Sequence, residues 1–173
     1  MLYSFIGYYS LIFGLIVSLP IFFFSIRNFK NEEKLDDKII ILSFTQLFLV
    51  AISFLGLVFS FVNSDFSNET VFNNSHTTKP LFYKVSGTWG NHEGSLLLWL
   101  VVLTLFIFLF LIKSKGLLKR YRILTVLFQQ IIIIGFFVFL IKFSSPFNYI
   151  STVPNEGLGL NPILQDPALA IHP

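Results

Sequence analysis

Four apolar blocks, each long enough to cross a bilayer, set what this chain can fold into: Leu2 to Ile26, Ile39 to Val62, Leu96 to Ile112 and Ile123 to Phe143. A hydrocarbon core of about 30 Å takes roughly 20 helical residues. Inside it every backbone N–H and C=O must be satisfied within the protein, so blocks of this length become helices. The expected fold is all-α and integral to a membrane, with about four transmembrane helices in residues 1–143, an external loop at 63–95 and a structured external tail at 144–173. The third block is the shortest, and its helix is expected to borrow the His-Glu-Gly-Ser turn before it. The first block is too long, and lacks the small-residue cleavage site, for a removed signal peptide.

Charge sets the orientation. With four spans, the loops Arg27 to Lys38 and Lys113 to Arg122 share one side and hold nine of the twelve Lys and Arg residues; the other side has Lys79, Lys84 and Lys142. The positive-inside rule puts the basic loops in the cytoplasm or matrix, and the N-terminus, the 63–95 loop and the tail in the periplasm or intermembrane space. The cluster Lys113, Lys115, Lys119, Arg120 and Arg122 reads as an anchor to lipid rather than a nucleic-acid surface. The chain has no cysteine, which excludes disulfides, thiolate metal sites and thiol redox chemistry by its own residues. Its 23 Phe, with abundant Ile, Lys and Asn, suit an AT-rich genome, as organelle genomes often are.

Polar residues inside the spans fall in stripes. Gly7, Ser10, Gly14 and Ser18 line one face of the first helix, and Gln46, Ser53, Gly56 and Ser60 one face of the second, so the two can approach closely. Gln129 and Gln130 need partners in the fourth. No Asp, Glu, Lys or Arg lies in mid-span, which favours a hydrogen-bonded bundle over a transport pathway. The loop from Asn63 to Pro80 is polar and reads as solvated, with two glycosylation-type triplets at Asn68 and Asn73 and a surface histidine, His76. After Pro80 the aromatic run Leu81, Phe82, Tyr83 suits the membrane interface.

Two segments could carry chemistry. In Trp89-Gly90-Asn91-His92-Glu93-Gly94-Ser95, Asn91 is the expected N-cap, Glu93 then stands in the first turn, and His92, Ser95, Leu96 and Trp99 share a face. One reading is a His92 and Trp99 surface facing a planar ligand; the other is a His92 and Glu93 pair that caps the helix. In the tail, Asn161-Pro162 and Asp166-Pro167 each look like an N-cap followed by Pro, which predicts two short helices. The second would present Ala168, Ile171 and His172 before Pro173 breaks it. An imidazole in such apolar surroundings is a candidate axial ligand to haem iron, and a structural histidine is the alternative.

The stretches W-G-N-H-E-G-S-L-L-L-W (89–99) and G-L-N-P-I-L-Q-D-P-A-L-A-I-H-P (159–173) resemble two signatures of the N-terminal part of the CcmF family, the haem lyase subunit of cytochrome c maturation system I. Residues 73–84 and 145–149 are similar to it in the same order. The resemblance implies a role in attaching haem covalently to apocytochrome c, with haem b as cofactor, the haem chaperone CcmE as donor and a tryptophan-rich WWD segment as the platform. It implies that His172 is the first external haem ligand, the only metal contact through haem iron, and that Trp89, His92, Glu93 and Trp99 shape the site. In that family the pattern continues past His172-Pro173 into the WWD segment and further haem ligands. The expectation is therefore a split mitochondrial form or an incomplete sequence, in the mitochondrial or bacterial inner membrane, that works with a C-terminal CcmF part and is inactive alone. A haem-free scaffold subunit of a respiratory complex is the contrasting reading, and the lack of mid-span charge disfavours an ion-translocating one.

Overall fold

The computed structural model describes residues 1–31 and 37–171. Four long helices dominate it: α1 (Leu2–Asn31), α2 (Asp37–Val62), α5 (His92–Lys113) and α6 (Lys119–Lys142), with the short helices α3 (Glu69–Asn74) and α4 (Leu81–Gly87) between the middle pair and α7 (Pro167–Ile171) near the end. All four long helices are long and apolar enough to cross a membrane. They are antiparallel and close a ring in which α1 meets α2 and α6, and α5 meets α2 and α6. Among the described residues Asn68 and Tyr149 form an isolated antiparallel β-bridge.

Each helix overruns its apolar block. The first continues through Arg27 and Lys30, whose long stems suit an interface and whose charges suit the negative end of a helix dipole. The bundle is apolar on its outside as well as in its core. Phe5, Phe23, Phe44, Phe48, Phe106 and Phe128 point outward, where lipid would meet them. Leu11, Val50, Leu57, Leu97, Leu100, Ile133 and Phe137 fill the middle.

Glycines and amides determine how the helices meet. A Cβ at Gly56 would lie 2.8 Å from the Tyr3 carbonyl and 3.0 Å from Cα of Gly7, so α1 and α2 touch backbone to backbone. About two turns further in, Gly14 receives the ring of Phe137 from α6. Deeper still, Gln46 donates to the Ser18 hydroxyl (2.9 Å) and to Gln130 Oε1 (3.3 Å), while Gln130 Nε2 donates back to Gln46 Oε1 (3.0 Å). Both glutamines are fully buried. The polar stripes read from the sequence are thus the contact faces of the ring.

The two ends of the bundle differ. At one, Arg122 ties α6 to the end of α5, its Nε on Ser114 Oγ (2.8 Å) and its Nη2 on the Leu111 carbonyl (2.8 Å). At the other, residues 63–91 and the tail from Ser144 fold together into a cap. Asn68 is its pin: Nδ2 donates to the Pro146 carbonyl (2.9 Å) and the Ser4 hydroxyl (3.2 Å), and Oδ1 accepts from Val71 N (3.1 Å). The loop expected to be solvated is largely covered, because the tail packs over it: Ser67, Asn68, Thr70, Val71 and Ser75 are all buried. The Asn68 triplet therefore has no free amide for a glycan, whereas Asn73 is exposed.

Replacing Gln130 with Leu strips the buried Gln46 amide of its reciprocal partner. Stability should fall by about 1–2 kcal/mol, and Gln46→Leu with Gln130→Leu should lose less than the sum of the single changes. Unfolding in mixed micelles by detergent titration measures this. Strictly additive losses would show that the two amides do not act as a pair.

Candidate functional site

The 89–99 segment is built around its N-cap. Asn91 Oδ1 accepts from Gly94 N (2.8 Å), and its Nδ2 donates to the carbonyls of Gly87 (2.7 Å) and Thr88 (3.1 Å). One side chain thereby caps α5 and fastens the end of α4 to it. Ser95 adds a hydrogen bond from Oγ to the Trp89 carbonyl (2.6 Å). A Cβ at Gly94 would overlap the Thr88 carbonyl, so only glycine lets this turn close. Capping falls to Asn91 rather than to a His92 and Glu93 pair. Glu93 stands in the first turn as expected, half-buried.

That turn orients two tryptophans. Trp89, half-buried, and Trp99, 59% exposed, line a cleft of about 630 Å³ together with Phe54 of α2, Leu98, Val102 and Ile171. His92 lies elsewhere: it is exposed and its ring meets Phe139 of α6 edge-on at 6.4 Å. The predicted His92 and Trp99 surface is thus divided between two sides of α5. Sequence reasoning missed Phe54, which carries no local signal among so many phenylalanines.

The tail reaches the cleft by the two predicted short helices. Residues Pro162–Gln165 form a 3-10 turn and α7 follows from Pro167. Asp166 Oδ1 accepts from Ala168 N (2.8 Å), the cap that the Asp-Pro pair foretold. Tyr83 of α4 donates its hydroxyl to the Gln165 carbonyl (2.7 Å), and Ala170 is buried. These contacts bring Ile171 into the cleft wall beside the tryptophans. His172, the expected haem ligand, and Pro173 lie outside the described residues.

A second tie holds the tail further back. Glu156 accepts from Thr77 N (2.9 Å) and Thr77 Oγ1 (2.5 Å), with His76 Nδ1 3.8 Å away. Next to it Leu158 N donates to the Phe72 carbonyl (2.8 Å) and Gly159 N to the Ser75 carbonyl (3.1 Å), and there is no room for a side chain at Gly157. The Thr77 hydroxyl, then the Thr77 and Gly157 amides and the nearby His76, hold the Glu156 carboxyl below its ordinary pKa. A carboxylate stabilised in this way supports docking above its unfolded pKa, and that support is lost as pH falls through the folded one. Protection of the Leu158 and Gly159 amides, as hydrogen-exchange protection factors, should therefore decline in acid in the parent chain and stay flat in Glu156→Gln. A parallel decline in both would remove Glu156 as the cause.

Gly94→Ala should disrupt the turn far more than Asn91→Ala, which costs a cap worth about 1 kcal/mol. Trp89 and Trp99 fluorescence reports this: a large spectral shift is expected for Gly94→Ala and a small one for Asn91→Ala. Unchanged emission in Gly94→Ala would mean that the close approach to Thr88 is dispensable.

Residues 89–173 match the family described as Cytochrome C assembly protein. The cytochrome c-type biogenesis protein ccl1 of Rhodobacter capsulatus is 45% identical over 128 residues, which is 74% of this chain and 20% of that protein. The CcmF proteins of Haemophilus influenzae and Escherichia coli are 35% and 41% identical, over 97% and 72% of this chain and 26% and 19% of their own lengths. The chain thus spans about a fifth to a quarter of these relatives. A solved structure titled Cytochrome c Heme Lyase CcmF shares the fold, with a TM-score of 0.75 over 87% of this chain and 25% of that one at 22% identity.

Proposed function

Because this chain belongs to the cytochrome c-type biogenesis family of CcmF, CycK and NrfE proteins, we propose that it supplies the N-terminal membrane scaffold and one external ligand, His172, to a lyase that attaches haem to apocytochrome c. The observation that carries this reading is the cleft at the capped end of the bundle, where Trp89 and Trp99 meet Ile171, the residue immediately before His172.

The residues fit a haem b held partly by another segment. Phe54, Trp89, Leu98, Trp99 and Val102 offer an apolar and aromatic wall suited to a porphyrin face or edge, and an imidazole such as that of His172 is a standard axial ligand. Bound haem would supply the vinyl groups to which apocytochrome thiols add. The chain's own contribution is positional. Asn91 and Ser95 fix the tryptophans, Asp166 and Tyr83 fix α7, and the ring of helices holds both against the bilayer surface. Nothing in this role asks the chain for a general acid or base.

The same reading assigns the partners. A WWD-bearing CcmF part completes the haem platform, holo-CcmE delivers haem, and apocytochrome c presents its thiols. It assigns the capped end to the periplasm or intermembrane space of a bacterial or mitochondrial inner membrane, since the basic loops lie at the opposite end.

The test is affinity purification from native membranes, with mass spectrometry and a haem absorption spectrum of the recovered complex. The expected result is a WWD-bearing partner and a haem spectrum that His172→Ala abolishes, with cytochrome c maturation reduced at least about tenfold and helical circular dichroism unchanged. Maturation and haem content unaffected by His172→Ala would remove the ligand assignment. Recovery within a respiratory complex without haem would make the chain a scaffold.

A further inference from the structure

At the uncapped end of the bundle, the described residues include buried donors without acceptors. Helix α6 starts behind Leu118, whose side chain makes no capping hydrogen bond. The first amides of a 24-residue helix are thus left without intrahelical partners at the positive end of its dipole. A cleft of about 440 Å³ opens there between Asn28, Phe29 and Lys30 of α1 and Lys119, Arg120 and Ile123 of α6. Among the described residues, two of its side chains have no partner. Asn28 is 4% exposed and its Nδ2 has no acceptor; Lys119 Nζ is likewise buried and without one. Burying an amide and an ammonium unpaired is costly, and an oxyanion in the cleft would relieve both. Arg120 stands at the mouth with its guanidinium 5.2 Å from the ring centre of Phe29.

We propose that this cleft binds the phosphate of an anionic phospholipid, with Asn28 Nδ2, Lys119 Nζ and the first amides of α6 as donors. A helix N-terminus flanked by a cation is a ready oxyanion site. The lipid source follows from position and from the remaining wall. The cleft lies where two spans end, at head-group depth, and Phe29 and Ile123 offer apolar surface to the glycerol and upper acyl chain. This differs from a diffuse basic surface because the contact depends on a neutral side chain. Asn28 adds nothing to long-range attraction and acts only when an acceptor is in place.

Native mass spectrometry of the full chain, released from bilayers of phosphatidylcholine and phosphatidylglycerol, tests the site. The parent should retain phosphatidylglycerol in preference to phosphatidylcholine. Asn28→Leu and Lys119→Gln should each lower that retention about tenfold, while Lys115→Gln, an exposed lysine of the same loop outside the cleft, should leave it unchanged. Circular dichroism checks folding, and if Asn28→Leu does not fold, Lys119→Gln carries the same comparison. Equal loss in Lys115→Gln and in the cleft variants, or none in the cleft variants, would overturn the proposal in favour of surface charge. A second arm adds inorganic phosphate to delipidated chain in detergent. Thermal stabilisation by phosphate equal to that by the lipid, and lost in Asn28→Leu, would assign the same donors to a soluble anion and overturn the lipid assignment.

Discussion

The reciprocal hydrogen bond between Gln46 and Gln130 is the constraint on which the rest of the structure depends. In hydrocarbon an amide has no water to turn to, so two glutamines on separate spans are satisfied only when those spans take one rotation and one depth. Ser18 adds a third helix to the same knot. With the rotation fixed, the glycines of α1 and α2 face each other and the ring closes. Lipid gives apolar side chains little reason to choose one neighbour over another, so specificity comes from these few polar and small residues.

The capped end inherits that rigidity. Phe147 of the tail sits against Gly7 of α1, and Asn68 ties the tail to the loop and to Ser4. Each contact fastens an irregular segment to a helix whose position the glutamines already determine. The tryptophan cleft is therefore assembled from three regions distant in sequence: α2, the Trp89–Val102 stretch and the end of the tail. Precision at such a site comes from its supports rather than from its lining.

Much of this was legible in the sequence where one residue type has one physical use. Apolar length gave four spans, spaced glycines and serines gave the α1 and α2 faces, Asn91 gave the start of α5, and Asp166-Pro167 gave α7. What could not be read were contacts between segments. Asn68 stands in a triplet that matches the glycosylation pattern, which is local, whereas its partners, Pro146 and Ser4, are distant. His92 and Trp99 share a nominal helical face, yet the ring puts Phe139 against one and a cleft beside the other, so heptad spacing does not decide which neighbour a side chain meets. Phe54 and the unpartnered amide of Asn28 have no sequence signature at all.

The cap also sets an order of events in synthesis. Its fastenings join residues 68–83 to residues 146–165, and the fourth span lies between them in the chain. No part of those fastenings can form until that span has been made and threaded. The loop from Asn63 must therefore cross and wait, its carbonyls served by water, while two more helices enter the bilayer. The cleft beside Trp89 and Trp99 acquires its last wall only when the final residues of α7 have left the ribosome, so the scaffold is complete before the site exists.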